Sequence, residues 1–127
     1  MQNDPICWGS RSQKNVTLSS SEAEYVAVSE IVKEVLYVVH VLEYLKTKVK
    51  LPIVIQVDNQ GVIFMANNQV SRRTKHIDTR YHLVREFIED EILKVIFVRS
   101  CENTADIFTK NLDEQTYIKH AKAIMVE

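Results

Sequence analysis

The longest pattern of apolar and polar positions in the chain predicts an amphipathic helix from Ala23 to about Lys46. Its start is marked by serines, and both Ser19-x-x-Glu22 and Ser21-x-x-Glu24 fit the spacing of a capping box. At about 100° per residue, the stripe we assign to the buried face begins with Glu24, whereas Glu22 falls on the solvent side. The stripe comprises Glu24, Ala27, Val28, Ile31, Val35, Val38, Leu42 and Leu45.

Shorter apolar runs predict strands and further helices around this long helix. The element order β, β, α, β, α, α, β, α predicts an α/β domain with a mostly parallel sheet, in which ligands gather at the carboxyl ends of strands. The predicted strands are Ile6–Trp8, Val16–Leu18, Ile53–Val57 and Leu93–Arg99, and the predicted helices are Val62–Ala66, His82–Glu91 and a stretch from Thr104 to the C-terminus, interrupted near Asn111-Leu112.

Composition narrows the class of protein. The chain has 127 residues, 46% of them apolar, with 2 Gly and 2 Pro, which predicts one globular domain over residues 1–127 and argues against disorder and against a many-turned β-sandwich. No apolar run is long enough to span a membrane, and no secretory signal precedes the first elements, so we expect an intracellular protein. Cys7 and Cys101 have no metal-type spacing and are expected to be free thiols.

Three acidic residues stand at the ends of predicted elements. Glu24 lies near the start of the long helix, Asp58 directly follows a strand, and Asp106 lies near the start of the last helical stretch. Each alone fits a capping or helix-dipole role. Together, at one edge of a sheet, they would suit Mg²⁺, which prefers carboxylate oxygens and completes its shell with water and substrate phosphate.

A basic segment between Asn67 and Glu86 contrasts with the formal net charge of −1. Arginine and lysine provide most of the sequence-independent affinity for nucleic acids, so this segment is a candidate nucleic-acid contact, and a solvated basic loop is the alternative. A zinc site built from His76 and His82 with His40 or His120 lacks the expected tight spacing. The basic and aromatic residues of the segment are Arg72, Arg73, Lys75, His76, Arg80, Tyr81, His82 and Arg85.

Four ordered sequence blocks closely resemble the ribonuclease H domain of copia-type retrotransposon polyproteins. Their order and spacing match over nearly the whole chain, and Ile6–Ser10 looks like the third strand of that family. The four blocks are Ser19–Ala27, Val57–Gly61, Arg73–His82 and Thr104–Lys110.

The resemblance implies a ribonuclease H-like mixed sheet flanked by helices. It also implies hydrolysis of the RNA strand of RNA–DNA hybrids with two Mg²⁺ or Mn²⁺ ions during reverse transcription, beside the reverse transcriptase region of a polyprotein. Glu24, Asp58 and Asp106 match the family's catalytic metal ligands. The matched block makes Arg73, Lys75, His76 and Arg80 candidates for nucleic-acid contact, and the basic segment adds Arg72. The expected location is the cytoplasm, in virus-like particles, or the nucleus.

One departure from the family pattern affects the expected activity. The family's first two strands, with the first catalytic aspartate, would lie before Ile6, and Asp4 precedes the third-strand block where the pattern has no ligand. We therefore expect a truncated domain with weak or no nuclease activity that self-associates through its open sheet. The alternatives are a non-catalytic nucleic-acid-binding or assembly module and a purely structural remnant.

Overall fold

The computed structural model describes residues 5–13, 19–67 and 78–125; the side chains of residues 78 and 81 lie outside that description. The chain divides into two compact units. The central unit is Val16–Phe97, and the terminal unit combines Met1–Asn15 with Val98–Glu127. Among the described residues, no helix is both long and apolar enough to cross a membrane.

Helix α1, Ser20–Tyr44, confirms the longest element predicted from the sequence. Ser19 caps it, since its hydroxyl oxygen accepts a hydrogen bond from the backbone N–H of Glu22 at 3.1 Å, as the capping-box spacing predicts. The helix ends where Lys46 adopts a left-handed φ of 59°. The next backbone N–H then reaches back to a carbonyl of the last turn at 2.9 Å, so this helix end is satisfied by its own backbone.

The buried face of α1 differs from the predicted one. Glu22 is 7% exposed and lies in line with the fully buried Tyr25 and Val32, whereas Glu24 is exposed. Ile31, assigned to the buried stripe from the sequence, is 45% exposed. The prediction was wrong because α1 carries valines on almost every side, so counting apolar residues does not identify the stripe that packs. The buried residues are Glu22, Tyr25, Val26, Val28, Ser29, Val32 and Val39.

Two parallel strands, β1 at Ile53–Val57 and β2 at Leu93–Phe97, form the sheet within the described residues. Their register pairs Ile53 with Leu93 and Val57 with Phe97, so both carboxyl ends lie at the same edge. This confirms the predicted parallel pairing and the α/β character. Strand β1 matches its predicted bounds because a buried parallel strand is a short continuous apolar run.

Helices α2, Gln60–Asn67, and α3, Asp78–Glu89, complete the central unit. Both confirm predicted helices, and α3 begins earlier than the predicted His82. Alternation along the strands turns one face of the sheet towards α1, α2 and α3, while Val54 and Lys94 on the other face are exposed. The core of this unit consists of Tyr25, Val28, Val32, Ile55, Val57, Val62, Ala66, Val84, Leu93 and Val95.

The terminal unit contains two short 3₁₀ helices, Ser100–Glu102 and Thr104–Phe108, and helix α4, Glu114–Ile124. The break between Thr104–Phe108 and α4 confirms the interruption predicted near Asn111-Leu112. Asp113 caps α4 by accepting from the backbone N–H of Thr116 at 3.0 Å. Hydrogen bonds from the Thr116 side chain, and then from its backbone, lower the pKa of Asp113 from its ordinary value.

The N-terminal segment of the terminal unit is not a strand. Residues 5–13 have no regular secondary structure, so the strand predicted at Ile6–Trp8 is wrong. Ile6 and Trp8 are 60% and 70% exposed, so neither side chain is packed in a core, and β propensity alone is not enough to form a strand. The strand predicted at Val16–Leu18 lies outside the described residues. Cys7 and Cys101 are exposed free thiols, as expected.

The turn from α3 into β2 provides a test of the fold. Glu91 has a φ of 56°, and the adjacent Ile92 accepts from the N–H of Ile53 at 2.9 Å, which joins the start of β1 to this turn. Glycine adopts this left-handed conformation without steric cost, so we expect Glu91→Gly to raise the free energy of unfolding by about 0.5–1 kcal/mol in urea denaturation. The control Glu86→Gly, at an exposed position inside α3, should lower it by about 1 kcal/mol. A loss of stability in Glu91→Gly would contradict this geometry.

Candidate metal centre and nucleic-acid interface

Asp58 is half-buried at the carboxyl end of β1, directly before α2. The neighbouring Asn59 makes the turn into the helix, because its Oδ1 accepts from the backbone N–H of Gly61 at 2.8 Å. The turn into α2 is thus made by Asn59, and Asp58 lies directly before it. Asp58 is therefore at the strand end, the part of a parallel sheet where ligands bind.

The first turn of α1 contacts the turn that follows β1. The Ser21 hydroxyl donates to Asn59 Oδ1 at 3.2 Å, so the same amide oxygen joins the starts of α1 and α2. The approach is close at Gly61, since a Cβ added there would lie 2.9 Å from Ser21 Cβ and would also overlap the Ser21 hydroxyl oxygen. Glycine at position 61 therefore permits the contact.

Glu24 and Glu22 both lie in this first part of α1 but have different environments. Glu24 lies one turn after Ser21 and is exposed, and Asp58 is adjacent to Asn59, so two of the predicted carboxylates belong to segments that touch. Glu22 is buried, and the sequence argument missed it. The signal was its three- and four-residue spacing with Tyr25 and Val26, which are also buried.

Asp106 belongs to the terminal unit, in the 3₁₀ helix Thr104–Phe108, and is 5% exposed. Its Oδ1 accepts from Asn103 Nδ2 at 3.2 Å, and its Oδ2 accepts from Lys110 Nζ at 2.8 Å. The predicted position of Asp106 near a helix start is confirmed. Both of its carboxylate oxygens are engaged by neighbouring side chains.

The chemistry of these donors suits a hard divalent cation, but their arrangement does not form a metal site. Carboxylates are the ligand class that Mg²⁺ prefers. In the parts of the chain that the structure describes, however, no three histidine, cysteine, aspartate or glutamate residues come together in a way that holds a metal ion. The ammonium group of Lys110 also lies against Asp106 Oδ2, at the position that a metal ion bound by this carboxylate would occupy. The residues in this arrangement do not fit the two-ion centre that the family resemblance implies.

The predicted nucleic-acid contacts fall mostly outside the described residues. Arg72, Arg73, Lys75 and His76 lie there, and Arg80 is half-buried in the first part of α3. Another residue of the basic segment has a packing role, since Arg85 Nη2 donates to the Met65 carbonyl at the end of α2, 3.5 Å away. In the described part of this segment, His82 on α3 is exposed.

The contact between α1 and the β1–α2 turn is tested by Gly61→Ala. Alanine favours helix by up to about 1 kcal/mol, yet we expect a net loss of about 1–3 kcal/mol in the free energy of unfolding, because the new methyl group overlaps Ser21. Gly9→Ala is the matched control, since nothing lies within 4 Å of its added Cβ, and it should change stability by less than about 0.5 kcal/mol.

A second substitution shows whether the loss in Gly61→Ala comes from Ser21. Ser21→Gly removes the atoms that the methyl group meets, so the double variant should lose less stability than the sum of the single variants. Strict additivity of the two changes would contradict the contact.

The chain is similar to short segments of long polyproteins encoded by plant transposons. It is 43% identical over 106 residues to the retrovirus-related Pol polyprotein from transposon TNT 1-94 of Nicotiana tabacum, a match covering 83% of this chain and 8% of that protein. It is 35% and 34% identical over 123 residues to the corresponding polyproteins from transposons RE1 and RE2 of Arabidopsis thaliana, covering 96% of this chain and 8% of each. No family model and no solved structure matches it.

The similarity extends over both units of the chain. Because it covers 83% of the chain in one relative and 96% in two others, it is a property of the whole sequence rather than of one motif. The chain nevertheless spans about 8% of the length of these relatives. It is thus homologous to one segment of the retrovirus-related Pol polyproteins of plant transposons, which supports an origin in a retrotransposon Pol gene.

Proposed function

We propose that the chain is a ribonuclease H-type domain of retrotransposon Pol origin, with a ribonuclease H-like fold, which hydrolyses the RNA strand of RNA–DNA hybrids at a low rate. The observation that carries the proposal is the contact of Ser21 with Asn59, at 3.2 Å. It brings the segment containing Glu24 against the strand end containing Asp58, and both residues lie in sequence blocks that resemble this class of nuclease.

The electrostatics of the central unit are consistent with this proposal. Asp58 stands at the carboxyl end of a parallel strand, and Glu24 in the first part of α1, where the dipole of the helix favours negative charge. Mg²⁺ or Mn²⁺ would supply the activation of water and the stabilisation of the leaving oxygen that phosphodiester hydrolysis needs. We propose Glu24 and Asp58 of the central unit, and Asp106 of the terminal unit, as metal-binding carboxylates, although the described residues do not bring three such groups together.

The decisive variant for this proposal is Asp58→Asn. The full 127-residue chain is incubated with an end-labelled RNA–DNA hybrid and Mg²⁺ or Mn²⁺, and the shortened RNA is measured. Loss of a carboxylate that binds the metal directly should lower the cleavage rate by at least about a hundredfold, more than the loss of an outer-shell partner. Glu30→Gln is the matched control, because Glu30 is an exposed acid of α1 and its loss should leave the rate unchanged.

Two results would contradict the assignment. Cleavage that survives Asp58→Asn would come from a different site or from a contaminating nuclease. If no cleavage occurs at any concentration of either metal, the chain does not hydrolyse hybrids, and the second candidate function is the one supported.

The second candidate is a non-catalytic module that binds nucleic acid. It is favoured by one observation, the Lys110 ammonium group that occupies Asp106 Oδ2 at 2.8 Å. In this case the basic segment binds the phosphates of a hybrid or duplex, and the acidic residues have no role in binding. Other regions of a Pol polyprotein, including the reverse transcriptase, and a second copy of the chain are the protein partners that we propose.

Binding is tested separately from cleavage by salt titration of the affinity for a hybrid. Arg73→Ala with Lys75→Ala should weaken binding and reduce the slope of log affinity against log salt by about 2, one unit for each lost phosphate contact. Lys48→Ala with Lys50→Ala is the matched control, because it removes the same charge from exposed positions after α1. An equal effect of both double variants would mean that net charge alone, and no particular contact, determines the affinity.

A further inference from the structure

The last turns of α1 extend beyond the core of the central unit. The buried residues of this helix end at Val39, and none of the residues from 40 to 44 is buried. A helix that packed on the core along its whole length would continue its buried face to its end. Within the part of the chain that the structure describes, the last turns of α1 therefore add no buried side chain to the core.

Large apolar side chains nevertheless occupy one face of these turns. They follow the spacing i, i+4, i+7 and i+8, which places them on a single stripe of the helix. Exposed tyrosines are typical of protein interfaces, where they supply contact area at a low cost in conformational entropy. We call these residues the α1 stripe; they are Tyr37, Val41, Tyr44 and Leu45, which are 71%, 41%, 87% and 63% exposed.

The α1 stripe is large enough to form a weak interface with a second copy of itself. If two copies cover the exposed parts of these side chains completely, the pair buries roughly 1,000 Å², which is the lower limit for a specific protein interface. Interfaces of this size are typical of reversible complexes. The stripe therefore fits a dimer that exchanges with the monomer.

The charges beside the α1 stripe favour a second copy that runs in the opposite direction. Glu34 is exposed one turn before Tyr37, and Lys46 is exposed directly after Leu45. In an antiparallel pair, Glu34 of each copy lies beside Lys46 of the other, so opposite charges meet at both ends of the contact. A parallel pair would align the two helix dipoles and bring together the exposed lysines that follow both helices, Lys46, Lys48 and Lys50.

We propose that the chain forms an antiparallel dimer in which the α1 stripe of one copy packs on the α1 stripe of the other. Such a contact uses the same surface in both copies and closes on itself, so it ends at two chains. The inference names the surface that binds the second copy proposed above as a partner. It places the contact on α1 rather than on the open sheet, and it does not depend on hydrolysis of a hybrid.

The test is sedimentation velocity of the full chain from micromolar to millimolar concentration. We expect the sedimentation coefficient to rise from that of a monomer to that of a dimer. Tyr37→Ala with Tyr44→Ala removes most of the aromatic area and should raise the dissociation constant by at least about tenfold. Tyr117→Ala is the matched control, because it removes an exposed tyrosine from α4 and should leave the dissociation constant unchanged.

Charge reversal tests the antiparallel direction. Glu34→Lys places like charges beside Lys46 of the other copy and should raise the dissociation constant by about three- to tenfold at low salt. Adding Lys46→Glu should restore it. Glu43→Lys is the matched control, because it makes the same charge change at an exposed position on the opposite side of α1, and Lys46→Glu should not compensate for it. Failure of Lys46→Glu to restore the dimer of Glu34→Lys would contradict the antiparallel pairing.

Two results would overturn the dimer. One is a chain that stays monomeric at every concentration, including one whose tyrosines bind another region of a Pol polyprotein instead. The other is dimerisation that is unaffected by Tyr37→Ala with Tyr44→Ala, since the contact would then lie on another surface, such as the open sheet. Circular dichroism establishes that each variant retains its helices.

The result is distinguishable from the outcome of the cleavage assay. A dimer that depends on the α1 stripe, in a chain that does not cleave hybrids, would support this interface and contradict the nuclease. Hybrid cleavage that depends on Asp58, by a chain that is monomeric at every concentration, would support the nuclease and contradict this interface.

Discussion

The hydrogen bond from the Ser21 hydroxyl to Asn59 Oδ1 joins the start of α1 to the end of β1, and the candidate site in the central unit depends on it. The same oxygen accepts from Gly61, so one amide group organises the starts of two helices and the end of a strand. Because the Ser21 side chain lies this close to Gly61, position 61 has no room for a Cβ. Glu24 and Asp58 come to the same end of the unit as a result.

The third candidate ligand has a different kind of environment. Glu24 is exposed and Asp58 half-buried, whereas Asp106 is buried and already paired with a cation from its own chain. A carboxylate in water can take up a metal ion with little reorganisation, but a buried and paired one must first lose its partner. The terminal unit thus holds Asp106 in an ion pair of its own, and this pair is the observation that favours the non-catalytic candidate function.

Much of the fold was predictable because it depends on local signals. Ser19 marked the start of α1, and the apolar run Ile53–Val57 gave the bounds of β1, because capping and a short buried strand leave clear patterns in sequence. The rotation of α1 was not predictable, since its valines occupy nearly every side. Burial of Tyr25 in the core places Glu22, three residues before it, on the buried face and leaves Glu24 exposed. The strand expected at Ile6–Trp8 failed because a strand requires a partner that its own sequence does not specify. The Asp106 and Lys110 pair could have been found from its four-residue spacing, yet its burial depends on tertiary packing.

The activity proposed for the chain is hydrolysis of the RNA strand of an RNA–DNA hybrid. Its most direct test compares a labelled RNA paired with DNA and the same RNA alone, each incubated with the full chain and Mn²⁺, and measures the shortened products over time. The account predicts cleavage of the RNA within the hybrid and none of the RNA alone or of the DNA strand. Equal cleavage of the free and paired RNA, or no cleavage of the hybrid at any Mn²⁺ or Mg²⁺ concentration, would contradict it.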